Sequence, residues 1–241
     1  MKISFCTTCM GRLHHLMQTL PINIYNTEKY DREFIILNYG SKDELHSWAK
    51  ENLKFWIKRG IVKYYRTQEP KFFVATHAKN IAHKQATGDI LCNIDADNFI
   101  VDGFAELLNS TLGQSPGIIF SPSSDEFGQA GSCGKIAVRK EHFYNVGGYD
   151  EDWSIGWGWE DTDFQSRTRI YNSLNWYVLP KKWCKVIPHS NESRGENFQD
   201  KDIFRTQIMC RQQLNKKLEN NEFIVNKDRI WGHANDLSSD L

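Results

Sequence analysis

Four short apolar runs, residues 3–7, 33–37, 61–65 and 89–92, recur along the first hundred positions, each separated from the next by a stretch with helical spacing of apolar residues. The first such stretch carries Leu13, Leu16, Met17 and Leu20 at steps of three and four, and Pro21 is expected to stop or kink it. The second opens on Ser41-Lys42-Asp43-Glu44, which reads as a capping box, and turns Leu45, Trp48 and Ala49 inward. The third places Val74, Ala78, Ile81 and Ala82 on one face and ends near Gly88. Parallel strands need crossovers of this length, so the alternation predicts an α/β chain with a doubly wound, mostly parallel sheet flanked by helices.

Beyond residue 97 the alternation weakens. Residues 101–112 read as a helix, 117–120 and 135–138 as strands, 160–171 as a helix, 176–179 and 183–187 as strands, and 200–218 as a polar helical extension. The glycine-rich piece 128–134 reads as a loop able to close over a ligand, and the last fifteen residues as loosely held. No linker, repeat or low-complexity tract divides the chain, so a single domain over 1–241 is expected. Thirty basic residues balance thirty acidic ones, which argues against a nucleic-acid partner. No apolar run approaches the length of a membrane span, and residues 1–5 enter a strand directly, so a cytoplasmic protein is expected. The cysteines at 6, 9, 92, 133, 184 and 210 read as reduced core thiols; Cys6 and Cys9 have metal-like spacing but lack a second pair.

Chemistry concentrates in two places. The apolar run 89–92 leads into Asn93-Ile94-Asp95-Ala96-Asp97, and carboxylates two positions apart on a strand share a face, where both can address one cation bound to a diphosphate. Ligands of such sheets bind beyond the carboxyl ends of strands. Alone, the pair is as compatible with solvated loop carboxylates or helix caps. The second place is Gly156-Trp157-Gly158-Trp159-Glu160-Asp161-Thr162-Asp163. Gly156 and Gly158 leave the backbone open to a ligand, and Trp157 and Trp159 offer flat faces on which sugar rings stack. Glu160, Asp161 and Asp163 then crowd the first turn of a helix, where the dipole favours ionised carboxylates able to deprotonate a hydroxyl.

Together these residues resemble glycosyltransferases of the GT-A fold, close to the inverting family two. The second constellation is similar to the W-G-x-E-D motif of β1,4-galactosyltransferases and chondroitin-polymerase-like enzymes. The matching stretches are 4–12, 37–43, Ala78-Lys79-Asn80, Asp95-Ala96-Asp97, Gly147-Gly148-Tyr149-Asp150-Glu151 and 156–163. The resemblance implies a nucleotide and metal half over about 1–100, an acceptor half over about 101–198 and a helical tail over about 199–241. It implies donor contacts from Thr7, Thr8, Arg12, Asn38, Ser41, Lys79, Asp95, Ala96 and Asp97, and a Mn²⁺ or Mg²⁺ ion held by Asp95, Asp97 and His189. Asp161 would be the catalytic base, with Glu160, Trp157, Trp159 and Gly158 binding the acceptor. Two departures stand out: Asn38-Tyr39-Gly40-Ser41 replaces an Asp-Asp-Gly-Ser run, and Lys79 stands where relatives carry arginine, a point charge in place of a bidentate fork.

The implied activity is metal-dependent transfer of a sugar from a nucleotide-diphosphate donor, a UDP-sugar, to a hydroxyl of a saccharide or glycolipid acceptor with inversion, in surface polysaccharide or glycan synthesis. Peripheral membrane association accords with a glycolipid acceptor. Two rivals are a retaining enzyme of the same fold and a non-catalytic carbohydrate-binding protein that uses Trp157 and Trp159 as its platform.

Overall fold

In the computed structural model the described residues are 1–122, 132–153, 156–188, 190–239 and 241. The first half follows the expected alternation: β1 (Ile3–Cys9), α1 (Leu13–Asn26), β2 (Arg32–Tyr39), α2 (Leu45–Asn52), α3 (Lys54–Lys58), β3 (Val62–Thr67), α4 (Ala75–Lys84) and β4 (Ile90–Asn93). α5 (Phe104–Gln114), β5 (Ile118–Ser121), β6 (Ala137–Arg139), α6 (Lys140–Asn145), α7 (Glu160–Tyr171), β7 (Asn175–Val178), α8 (Asn191–Gly195) and α9 (Ile203–Glu219) complete it. Among the described residues the strands form one seven-stranded sheet in the order β3-β2-β1-β4-β6-β5-β7. β1 to β4 run parallel to their neighbours in that group, β6 is antiparallel to both β4 and β5, and β7 is parallel to β5.

Every residue of β1 is buried, because helices cover both faces of the sheet. Ile3 and Phe5 meet Leu16, Leu20 and Ile24 of α1 and Phe104 and Leu108 of α5 on one face. Cys6, Ile35 and Leu91 meet Ala78 and Ile81 of α4, Phe143 of α6 and Phe164 of α7 on the other. Each large side chain so buried contributes about 1.5–3 kcal/mol. At the amino ends of the parallel strands, Glu33 is a buried carboxylate; burial opposes its ionisation, but Lys63, Ser4, Thr87 and Lys2 outweigh that and hold its pKa down to about 2. The carboxyl ends are left for ligands.

Several local expectations are corrected. α1 does not stop at Pro21 but runs through it, the missing amide falling opposite the Met17 carbonyl on the exposed face of the helix. The expected capping box does not form: the Asp43 carboxylate accepts the Leu45 amide at 3.2 Å and the Leu13 amide at 3.0 Å, and so serves the starts of both α2 and α1. Residues 183–187 are not a strand, since among the described residues only Val186 of this stretch finds a bridge partner, Asn98. Nor are the described residues 231–238 loose. Ser238 exchanges both backbone hydrogen bonds with Arg66, the Asp236 carboxylate accepts from Thr67 and from the Gln68 amide, Ala234 is buried, and Trp231 packs on Phe143. Cys133, expected in the core, is exposed. The expected loop 128–134 falls largely outside the described residues. Among the described residues no helix is long and apolar enough to cross a membrane.

Candidate active site

β1 sits between β2 and β4, and from the carboxyl ends of β1 and β4 the chain moves toward opposite edges of the sheet, to β2 and to β5; ligands of open α/β sheets bind beyond such ends. β4 ends at Asn93, and Asp95 and Asp97 follow in a turn closed by the Asn98 amide on the Asp95 carbonyl at 2.9 Å. The turn, and not strand alternation, brings them to one cavity. Thr7 donates its hydroxyl to the Ile94 carbonyl at 2.7 Å, and the Ile187 amide donates to the Asp97 carbonyl at 2.9 Å, so the turn is held from both sides. Asn93 Nδ2 orients Asp95 at 3.0 Å and Asn98 Nδ2 orients Asp97 at 2.8 Å.

These carboxylates suit a divalent cation. Burial pushes the Asp95 carboxyl above its usual range, Lys79 pulls against that, and Asp97 adds to the rise, a repulsion that a bound cation would relieve. Room is reserved at Gly134, where a Cβ would lie 2.2 Å from Asp95 Oδ2. Among the described residues no third His, Cys, Asp or Glu completes a metal cluster, and His189 lies outside them.

The acidic start of α7 forms the opposite wall. Lys79 of α4 is buried against it, with Nζ 2.6 Å from Asp161 Oδ1 and 3.2 Å from Glu160 Oε1. Burial pushes the Asp161 carboxyl up, Lys79 draws it down, and Glu160 and Asp95 push it up again. Asp163 turns the other way into an internal ion pair with Arg167, so the three carboxylates divide between site and scaffold.

The two tryptophans also divide. Trp157 lines the cavity, with the Arg194 guanidinium 5.3 Å from its ring centre. Trp159 has a φ of 66°, which turns its side chain toward Trp153, Cys210 and Leu214, under Arg211. The glycines serve packing more than ligand approach. A Cβ on Gly156 would lie 2.1 Å from Thr206 Cγ2 of α9, and Gly158 has a φ of 123° and faces Gln207.

Between these walls lies a cavity of about 240 Å³. Thr8, Arg12, Lys79, Asp95, Ala96, Asp97, Trp157, Glu160 and Asp161 line it, all singled out from sequence. Thr7, Asn38, Ser41, Gly158 and Trp159 do not. Asn38 Nδ2 donates to the Tyr64 hydroxyl at 2.9 Å and its Oδ1 accepts the Ser41 amide, while Ser41 Oγ accepts the Gly11 amide, so both brace the loop after β1. Sequence reasoning missed Arg194, Asn197 and Phe198, which close the cavity from the segment around α8. Arg12 donates to the Ser193 carbonyl and to Glu196, and Asn197 donates to the Met10 carbonyl at 2.8 Å. That segment is polar and aperiodic, and nothing local marks it.

The Glycosyl transferase family 2 profile matches residues 13–143, and the profile for the N-terminal domain of galactosyltransferase matches residues 122–189. No curated protein matches by sequence. Among solved structures, the mannosyltransferase PcManGT from Pyrobaculum calidifontis, in complex with GDP-Man and Mn²⁺, aligns with a TM-score of 0.63 at 16% identity over 81% of this chain and 61% of its own. S. aureus TarS 1-349 in complex with UDP aligns with a TM-score of 0.61 at 13% identity over 91% of this chain and 72% of its own. This chain thus spans about three fifths of the length of the first. The fold matches that of these GT-A neighbours, and with the matched profile extending over more than half of the residues, the chain belongs to glycosyl transferase family 2.

Proposed function

We propose that the protein transfers a sugar from a UDP-sugar to a hydroxyl of a saccharide or glycolipid acceptor, with inversion, in the synthesis of a surface polysaccharide or glycan. One observation carries this: two separate carboxylate pairs, Asp95 with Asp97 and Glu160 with Asp161, face a single cavity at the carboxyl ends of the sheet. Different environments suit them to different tasks. A Mn²⁺ or Mg²⁺ ion held by Asp95 and Asp97 would supply Lewis-acid stabilisation of the leaving diphosphate. His189 is the proposed third ligand, two residues beyond Ile187, whose amide is bonded to the Asp97 carbonyl.

Thr8, Arg12 and Ala96 would contact the donor, with Thr7, Asn38 and Ser41 shaping the loop that receives it. Trp157 would stack on the acceptor sugar while Glu160 accepts from its hydroxyls. The Asp161 carboxylate would take the proton of the attacking hydroxyl as that oxygen adds to the anomeric carbon from the face opposite the departing nucleotide. Support comes from the UDP in the TarS structure and the GDP-Man and Mn²⁺ in the mannosyltransferase structure, ligands of those proteins.

Nucleotide release measured across a panel of nucleotide sugars, with Mn²⁺ or with EDTA, tests the proposal. Turnover of a UDP-sugar that EDTA abolishes is the expected result. Sugar binding without nucleotide or metal would replace it with a carbohydrate-binding role, and a product of retained anomeric configuration would overturn inversion.

A further inference from the structure

Lys79 is where the expectation from the family and the geometry part. Its ammonium points not into open space beside Asp95 and Asp97 but into the opposite wall, bonded to Asp161 and Glu160, with side-chain exposures of 4%, 13% and 11% for the three residues. We infer that Lys79 is the positioning residue of the proposed base, an internal cation that fixes Asp161 and Glu160 together on the cavity wall, and not a ligand of the donor diphosphate. The inference rests on the reading of Asp161 as base.

The placement is over-determined. Thr76, Lys79 and Asn80 share one face of α4, and all three grip the segment leading into α7. Thr76 Oγ1 donates to the Trp153 carbonyl at 3.1 Å. Asn80 donates to the Tyr149 carbonyl at 2.7 Å and to Glu151 at 2.9 Å, and accepts the Tyr149 amide at 2.8 Å. Beneath Lys79 lies the Tyr149 ring, its centre 5.3 Å from Nζ, a favourable seat for a desolvated cation. One turn on, His83 donates Nδ1–H to the Lys79 carbonyl at 2.7 Å; burial holds its pKa down to about 4, so it brings no competing charge.

Energetics point the same way. Moving the ammonium across to a diphosphate would strand two adjacent carboxylates in a buried wall, and breaking a buried pair is far costlier than never making it. The groups that bear most on Asp161 are Lys79 from α4, Glu160 beside it, and Asp95 from the turn after β4, with Arg12 and Arg194 elsewhere on the same cavity wall. Cys133 and Tyr149 also lie within its field. Of these, Lys79 is the cation bonded to it. Its removal therefore favours the protonated carboxyl, the inactive form of a base.

The test compares wild type, Lys79→Arg, Lys79→Gln and Lys79→Met by nucleotide release from the UDP-sugar that turns over, with Mn²⁺ and water as acceptor, across pH. Loss of the charge should move the acidic limb of the rate upward by a pH unit or more, at least about a tenfold loss below the limb that recovers above it. Lys79→Arg should restore the wild-type limb, and the affinity for UDP with Mn²⁺ should stay within about threefold throughout. Weaker UDP binding with an unmoved limb would overturn the inference in favour of a diphosphate contact. Should the neutral variants not fold, wild-type protein with [ε-¹³C]lysine decides: the Lys79 resonance, identified by its absence from Lys79→Arg, should titrate with the rate limb. A resonance that does not move would refute the pairing. A wild-type protein that turns over no nucleotide sugar would instead defeat the proposed function itself.

Discussion

Arg167 Nη2 lies 2.7 Å from Asp163 Oδ2, one helical turn before it, and neither side chain is more than 1% exposed. The guanidinium also donates to the carbonyls of Val146, Gly148 and Phe223, and so ties α7 both to the Gly147-Gly148 turn and to the chain after α9. Removing one partner of a buried pair leaves the other uncompensated, so Arg167→Met should lose about 3–5 kcal/mol. The readout is a lower urea midpoint at unchanged slope. A shift under about 0.5 kcal/mol, the scale of a neutral surface change, would contradict this account.

Asp161→Asn keeps the shape of the wall and removes the base. kcat should fall by about a hundredfold to ten-thousandfold, while UDP affinity holds. Burial, with Glu160 and Asp95 and against the pull of Lys79, sets the Asp161 pKa at about 8. A base acts ionised, so kcat/KM should rise with pH through that value and level off above it, and the variant should lack the limb. If Asp161 were only a helix-start carboxylate, the variant would lose stability and keep its rate.

Gly134→Ala would press a methyl against Asp95, since a Cβ there lies 2.2 Å from Oδ2. Calorimetry of UDP with Mn²⁺ should show binding lost or weakened more than tenfold in this variant and in Asp97→Ala. Wild-type affinity in Asp97→Ala would rule out the metal assignment. Equal activity with Mn²⁺ and Mg²⁺, unchanged by His189→Ala, would remove the third ligand, because an imidazole nitrogen favours Mn²⁺ over Mg²⁺.

The tryptophans should separate in opposite directions. Trp157→Ala, on the cavity wall, should weaken acceptor saccharide binding with little change in Tm. Trp159→Ala, packed against Trp153, Cys210 and Leu214, should cost about 3 kcal/mol or more of stability and spare the rate per folded molecule. Both effects appearing in one variant would mean that the division between platform and packing is wrong.

What could be read in the chain was what repeats or clusters locally. α7 begins and ends where its acidic first turn and polar spacing place it, and the first four strands need only the alternation of apolar runs. Asp95, Asp97, Glu160 and Asp161 were legible as carboxylate pairs because each pair is compact in sequence. Lys79 was legible as a site residue, but its bond to Asp161 was not, since Asp161 stands 82 positions away and nothing local ties them. Trp159 looks identical to Trp157 until the left-handed backbone turns it away from the cavity into the Trp153, Cys210 and Leu214 cluster. Residues 183–187 are rich in strand-favouring Trp, Val and Ile, yet pairing requires a neighbouring strand, and among the described residues only Val186 of this stretch finds a bridge partner. The tail hides its anchors, Trp231, Ala234 and Leu237, among polar residues, so no period betrays them.

The cavity draws its walls from the ends of β1 and β4, from the middle of α4, from the start of α7 and from the segment around α8. Residues as distant as Thr8 and Phe198 meet only across it. No contiguous fragment contains a recognisable share of it, so catalytic competence is a property of the finished topology and arises late, after the slow long-range pairings are made. A ligand that bridges such remote segments is also a tether between them, and at a hundred times its dissociation constant it adds about 2.7 kcal/mol to the stability of the folded molecule. The protein is therefore least protected when it is idle, and substrate supply becomes a determinant of its lifetime as well as of its rate.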